Sequence, residues 1–262
     1  MAIAAFFDLD KTILGTSSTL AFTKPLYEQG LIKRADVVQS AYHQFIFTIA
    51  GADHDQTERM RQYLSTLVAG WEVETLNGIV KETLSQQITP TVHAEAIDLI
   101  ESHKAQGHTV VIVSASGSEI VKPVAELLGA DFTIATELEV FSGKYTGQIG
   151  FYAYGENKAT AIKDFAKERG YDLTASYAYS DSITDLPMLE VVGHPNAVNP
   201  DSALKEISMD RSWPILRFEK PAALKKPIID HPEQQKALLA IGVFAILMTW
   251  VIKRRKAKRA AL

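Results

Sequence analysis

Apolar positions change their spacing along this chain, and each change predicts a different kind of element. IAAFFDLD, near the N-terminus, is a short β-rich run that ends in a polar turn. From Ser17 to about Gln87 the spacing is helical. Ser17 or Ser18 can cap TLAFTKPLYEQ, with Pro25 as a candidate break. Asp53 or Asp55 can cap QTERMRQYLSTLVAG, with Gly70 as its stop, and WEVETLNGIVKETLSQQ follows. Past Thr89 and Pro90, strands and helices alternate. VHAEAIDLIESHKAQ is a helix stopped by Gly107, and HTVVIVS is a continuous apolar run of strand length. SEIVKPVAELLG is a helix, DFTIAT a strand, ENKATAIKDFAKERG a helix, YAYSD a strand, LPMLEVV a short helix and PNAVN a strand. LEVFSGKYTGQIG reads as a hairpin turning at Ser142 and Gly143.

Unbroken apolar strands that alternate with helices are the mark of a parallel sheet covered on both faces and joined by right-handed crossovers. The expected fold is therefore α/β, a Rossmann-like doubly wound parallel sheet with a helical insert after the first strand. The expected core covers residues 1–16 and 89–216, and the insert residues 17–88. In such folds ligands bind beyond the carboxyl ends of the strands. Asp8, Asp10, Ser114 and Asp181 all fall there.

Those positions raise a chemical question. Asp8, Asp10, Asp181 and Asp185 place up to four negative charges at one sheet edge, and like charges a few ångströms apart are costly when partly buried. A hard divalent cation with oxygen ligands compensates such a cluster, and Mg²⁺ suits a site that also receives phosphate. Lys158 supplies further positive charge. Singly, each residue has a plainer reading: a DxD pair in a turn, a strand-end serine, a solvated lysine in a first helical turn, aspartates as helix caps. Only the joint pattern points to catalysis.

Four features recur in order: DLDKT at 8–12, IVSAS at 112–116, GENKA at 155–159 and YSDSITDLPML at 179–189. The pattern resembles the haloacid dehalogenase superfamily, and within it the subfamily of phosphoserine phosphatase-like hydrolases, over about residues 3–216. The resemblance implies a phosphomonoester hydrolase with residues 17–88 as its cap. It implies Asp8 as the nucleophile that becomes an aspartyl phosphate, and Asp10 as the acid for the leaving oxygen and then the base for water. The Asp8 side chain, the Asp10 backbone carbonyl and Asp181 would hold Mg²⁺, while Ser114 and Lys158 would grip the phosphoryl oxygens. Asp185 would orient Lys158 or a metal-bound water, and Thr12 would steady the loop. DKT also begins the DKTGT of cation-pumping ATPases, but here Ile13 follows and the pumps' many membrane helices are missing. The chain departs from phosphoserine phosphatases at Ser17, where they carry a glutamate, and at Thr184, where they carry an asparagine. Arg59 or Arg61 could correspond to their carboxylate-gripping arginine. AYHQFIFTIA and YLSTLV read as cap packing or as an apolar entrance for a lipid-like leaving group. His43 and His54 have no motif around them.

Composition adds two boundaries. The 262 residues are 47% hydrophobic and include no cysteine, which excludes disulfides, thiolate metal sites and cysteine nucleophiles. Net charge is −4, yet six of the 27 basic residues crowd into the last ten positions; the remaining 21 face 31 acidic residues. An acidic body argues against a nucleic-acid partner. No signal peptide is read, so the body is expected inside the cell. Residues 217–235, with Pro221, Pro227 and Pro232, read as a linker. ALLAIGVFAILMTWVI at 237–252 is hydrophobic all round and is followed by KRRKAKR. At about 1.5 Å per residue it falls slightly short of the roughly 30 Å hydrocarbon core. Residues 236–262 are therefore expected to form a C-terminal hydrophobic helix with a basic tail, anchoring the enzyme at the cytoplasmic face of a membrane. Burial in an oligomer interface is the alternative. The expected substrate is a lipid or lipid-precursor phosphate; a small polar phosphate, or a catalytically weak membrane-anchored scaffold, are the other readings.

Overall fold

The computed structural model describes residues 2–33 and 65–222. Among them, seven strands form one sheet in the order β4-β3-β2-β1-β5-β6-β7. The strands are β1 (Ala4–Asp8), β2 (Thr109–Gly117), β3 (Phe132–Phe141), β4 (Lys144–Phe151), β5 (Tyr177–Ser180), β6 (His194–Val198) and β7 (Ile215–Leu216). All neighbours pair in parallel except β3 with β4. The α/β class with a mostly parallel sheet agrees with the sequence pattern.

Alternation along β1 divides its side chains between two cores. Ala5 and Phe7 join one cluster, with Ala96 and Ile100 of α3 (Ala94–Ala105) and Val121 and Val124 of α4 (Ser118–Leu128). Ala4 and Phe6 join the other, with Ile162 of α5 (Glu156–Arg169), Met188 and Leu189 of α6 (Leu186–Glu190) and Leu204 of α7 (Ser202–Asp210). Helices thus cover both faces, and β1, wholly buried, has no solvent side to turn polar toward.

Between β1 and β2 the described elements are helical: α1 (Ser18–Glu28) and α2 (Val73–Thr83), the latter running on through a π turn, Leu84–Ile88, and a 3-10 turn, Thr89–Thr91. Pro25 does not break α1; it sits inside the helix, whose Phe22 is buried. The two strands of chain leading into and out of this segment pair with each other. Gly15 N–H donates to Thr91 C=O at 2.7 Å and His93 N–H to Ile13 C=O at 2.9 Å. The β3–β4 hairpin turns at Ser142 and Gly143, both at positive φ (49° and 76°), which is why a glycine is needed there. Its far arm holds Gly70 and Trp71 of the insert: Gly70 N–H donates to Tyr145 C=O, and Tyr145 N–H to Trp71 C=O. DFTIAT and the first hairpin arm are one strand, paired with β2 along its first half and with β4 along its second.

Three expectations are corrected. α7 and β7 are elements that the apolar pattern does not predict, within the residues expected for the core. They were illegible because α7 buries only Leu204 and Ser208, and β7 has two residues. Residues 217–222, expected as the start of a linker, pack on the core: Phe218 is buried and exchanges two hydrogen bonds with Asn199, and Ala222 N–H donates to Val92 C=O; residues 223–235 lie outside the described residues. The location at a membrane face is not upheld. No helix among the described residues is long and apolar enough to cross a membrane. The 236–262 segment on which that expectation rested lies outside the described residues, as do Arg59, Arg61, His43 and His54.

Candidate active site

β1 turns out of the core at Asp8, beside the point where β2 delivers Ser114 and β5 delivers Ser180 and Asp181. β1 is flanked by β2 on one side and β5 on the other, so the chain reverses direction of winding here, and a crevice opens at the strand ends. Lys158 enters from the first turn of α5, and Asp185 from the 3-10 turn Ile183–Asp185 that leads into α6.

The Lys158 ammonium bridges two of these carboxylates. Nζ lies 2.7 Å from Asp8 Oδ1 and 2.9 Å from Asp185 Oδ2. All three side chains are buried. Burial alone would favour the neutral amine, but Asp185 and Asp8 outweigh it and hold the ammonium above the ordinary lysine range. Ser180 Oγ also donates to Asp185, at 2.7 Å, so Asp185 is fixed from two sides and fixes the lysine in turn.

Thr12 stands between Asp8 and Asp181. Its hydroxyl is 3.2 Å from Asp8 Oδ2 and 3.3 Å from Asp181 Oδ1. One hydroxyl hydrogen cannot serve both, so two carboxylate oxygens converge on a single donor. The electrostatic consequence follows. Burial, together with the negative charges of Asp185 and Asp181, raises the Asp8 carboxyl well above its usual value despite Lys158. Asp181 is pushed up to about 7, by burial first and by Asp185 second, with Lys11 pulling the other way. These acids call for more positive charge than Lys158 provides.

Asp10 is held apart from that pair. Its Oδ1 accepts Ser18 N–H at 2.7 Å, and its Oδ2 accepts the Ser116 hydroxyl at 3.1 Å. The first amide of α1 is thus capped by Asp10. Ser17 occupies the N-cap position, as its place in the sequence predicted, but makes no side-chain capping bond. Burial raises the Asp10 carboxyl, and the Ser18 and Ser116 donors partly oppose it. Ser114 is buried, and its Oγ accepts Ser116 N–H at 3.1 Å, leaving its own proton to donate.

Asp8, Thr12, Lys158, Asp181 and Asp185 therefore form one hydrogen-bonded cluster, with Asp10 and Ser114 tied together beside it through Ser116. Sequence reasoning missed Ser18, Ser116 and Ser180. IVSAS did carry a signal for Ser116: a second serine two residues after Ser114 lies on the same side of an extended strand. Among the described residues, no group of three or more His, Cys, Asp or Glu side chains forms a ready metal cage. The Asp8 and Asp181 carboxylates, which converge on the Thr12 hydroxyl, are hard oxygen donors of the kind that suits Mg²⁺.

Comparison with known proteins places the chain in a family. The model of the haloacid dehalogenase-like hydrolases matches residues 5–190. A probable phosphatase of Mycobacterium tuberculosis is 52% identical over 96% of this chain and 89% of its own length. A histidinol-phosphatase of Neisseria meningitidis is 33% identical over 82% of this chain and 98% of its own. The fold is shared with a structure of a phospho-aspartyl intermediate analogue of phosphoserine phosphatase (TM-score 0.60, 21% identity), which covers 84% of this chain and 95% of that one. From residue 5 to residue 190, and with the acids, serines and lysine gathered at one sheet edge, the chain belongs to the haloacid dehalogenase-like hydrolases.

Proposed function

We propose that this phosphatase removes the phosphoryl group from a small phosphomonoester by way of an aspartyl phosphate on Asp8. The observation that carries the reading is the pairing of Asp8 with Lys158 at 2.7 Å, opposite a Thr12 hydroxyl shared with Asp181. Lys158 works against burial in favour of the Asp8 carboxylate and holds it in place to attack phosphorus. Asp8 attacks, the bond from phosphorus to the leaving oxygen breaks, and Asp10 gives that oxygen its proton. Asp10 then takes a proton from water as the water oxygen attacks phosphorus. The acyl phosphate breaks, Asp8 is restored and inorganic phosphate leaves. Ser114 and Lys158 donate to the phosphoryl oxygens, and Asp185 and Ser180 hold the lysine.

Asp8, Asp181 and the Asp10 carbonyl would hold Mg²⁺, which supplies the positive charge that the raised carboxyls call for and lowers repulsion between nucleophile and phosphate. A small substrate is favoured because the lipid reading leaned on a membrane location that the structure does not support. A relative covering four-fifths of the chain is named a histidinol-phosphatase, which makes phosphate esters of small amino alcohols the first class to try.

The test is phosphate release from a panel of amino-alcohol, amino-acid, sugar and lysolipid phosphates, with and without Mg²⁺. The expected result is Mg²⁺-dependent turnover of a small polar ester, reduced in Asp8→Asn by about a thousandfold or more. Full turnover by Asp8→Asn would reject the mechanism. Activity confined to lysolipid phosphates would reject the substrate class.

A further inference from the structure

The Asp10 carboxylate is the one acid of the site that makes no bond to Lys158 or Thr12. Its two oxygens are instead gripped by two serines from different parts of the chain. Ser18 opens α1, the first helix of the insert, and Ser116 belongs to β2 in the sheet. Ser116 has one hydroxyl hydrogen, and it goes to Asp10 Oδ2 at 3.1 Å. The Ser18 and Ser116 hydroxyl oxygens are 2.8 Å apart, so the two serines support each other beside Asp10, and the Ser18 hydroxyl also faces its carboxyl. The Ser18 backbone N–H closes the ring on Asp10 Oδ1 at 2.7 Å. Both hydroxyl-bearing residues are buried, Ser18 completely and Ser116 to 9% exposure, so water does not compete for these bonds.

We propose that Ser116, backed by Ser18, is a positioning residue that fixes the rotation of the Asp10 carboxyl so that its free lone pairs address the leaving oxygen. The inference rests on the proposed role of Asp10 as proton donor. A carboxylate held at one oxygen only can swing about its terminal torsion, which is soft. Held at both, it keeps one plane and leaves one in-plane lone pair on each oxygen for proton transfer. Ser116 does not bind the phosphoryl group, because its proton is committed to Asp10.

Loss of this hold hurts most when the leaving oxygen needs a proton most. The experiment compares 4-nitrophenyl phosphate, whose leaving group departs without help, with phenyl phosphate, which is similar in size but has a more basic leaving oxygen. Both are measured as kcat/KM, which covers the steps up to the first phosphoryl transfer. Ser116→Ala is expected to lose about tenfold more on phenyl phosphate than on 4-nitrophenyl phosphate, with KM little changed; Ser116→Thr, which restores a hydroxyl, recovers most of the loss. Asp10→Asn should show the same selectivity, and adding Ser116→Ala to it should cost little more. Equal losses on both esters with a raised KM would make Ser116 a phosphate ligand and overturn the proposal. So would selectivity in Asp10→Asn without any in Ser116→Ala. No selectivity in Asp10→Asn itself would remove the proton-donor role instead, and an active Asp8→Asn would remove the mechanism beneath both. Thermal melting of each variant separates these outcomes from a folding defect.

Discussion

At the scale of single residues, Lys158 decides how the site survives with so many acids. Its ammonium is the shared partner of two buried carboxylates, so removing it leaves two charges without compensation. Lys158→Ala is expected to abolish turnover and to cost about 3 kcal/mol of stability near neutral pH, as other broken buried pairs do. The stability cost should shrink on acidification, because the orphaned Asp8, already raised by burial, then takes up a proton. Urea titrations of wild type and variant at two pH values measure this, and an equal cost at both would contradict it. The sequence exposed these acids and the lysine because each lies in a motif at the end of a predicted element. It hid Ser116 and Ser180, since a serine's partner is set by which strand lies beside it, and strand order is a long-range property. It also gave Thr12 a local role, whereas its hydroxyl reaches Asp181, 169 positions away in sequence.

At the scale of elements, a second polar cluster packs against β1 and β5 at Phe7 and Tyr179. His103, at the end of α3, is buried between His108 and Tyr179, with Nδ1 2.9 Å from His108 and Nε2 2.8 Å from Tyr179. Phe7 and Tyr177 pack edge-on against its ring. Burial first, and the neighbouring His108 second, lower its pKa to about 4. An imidazole whose folded pKa is depressed contributes stability that is fully present above its unfolded value of about 6.5 and is lost as pH falls toward 4. Asp8 and Asp181 are raised and titrate with the opposite sign, so the readout is a difference. His103→Asn should melt lower than wild type at pH 8, and the gap should narrow as the pH drops from about 6.5 to 4. A gap that widens on acidification would contradict the neutral, hydrogen-bonded imidazole. Element identity was legible wherever apolar spacing was strong, as in β1, β2 and α5. It failed for α7 and β7, which are held by caps and partners rather than by periodicity; Asp201 accepts Leu204 N–H at 2.8 Å to start α7. Pro25 is only a candidate break in sequence, where the cost of a lost helical bond is visible and the burial of Phe22 that offsets it is not.

At the scale of the whole molecule, an acidic body carries a site with more negative than positive charge, and phosphate would add to the imbalance. Chelation should therefore silence the enzyme and added Mg²⁺ restore it. Since Asp181 is raised to about 7, cation binding should also displace a proton, so Mg²⁺ affinity should rise from about pH 6 to 8, followed by calorimetry in buffers of different ionisation heat. Affinity that is flat across that range would mean that Asp181 does not meet the cation. The winding of the chain makes one crevice out of motifs more than a hundred residues apart, and their shared position at strand ends was already visible from the alternation of strands and helices. The central claim is that Asp8 carries the phosphoryl group between substrate and water. Reduction with borohydride during turnover of 4-nitrophenyl phosphate, followed by peptide mass spectrometry, tests it most directly. The account predicts homoserine at position 8, formed from the acyl phosphate and lost when substrate is omitted. Sustained phosphate release with residue 8 recovered unmodified, or with homoserine at Asp10 instead, would contradict it.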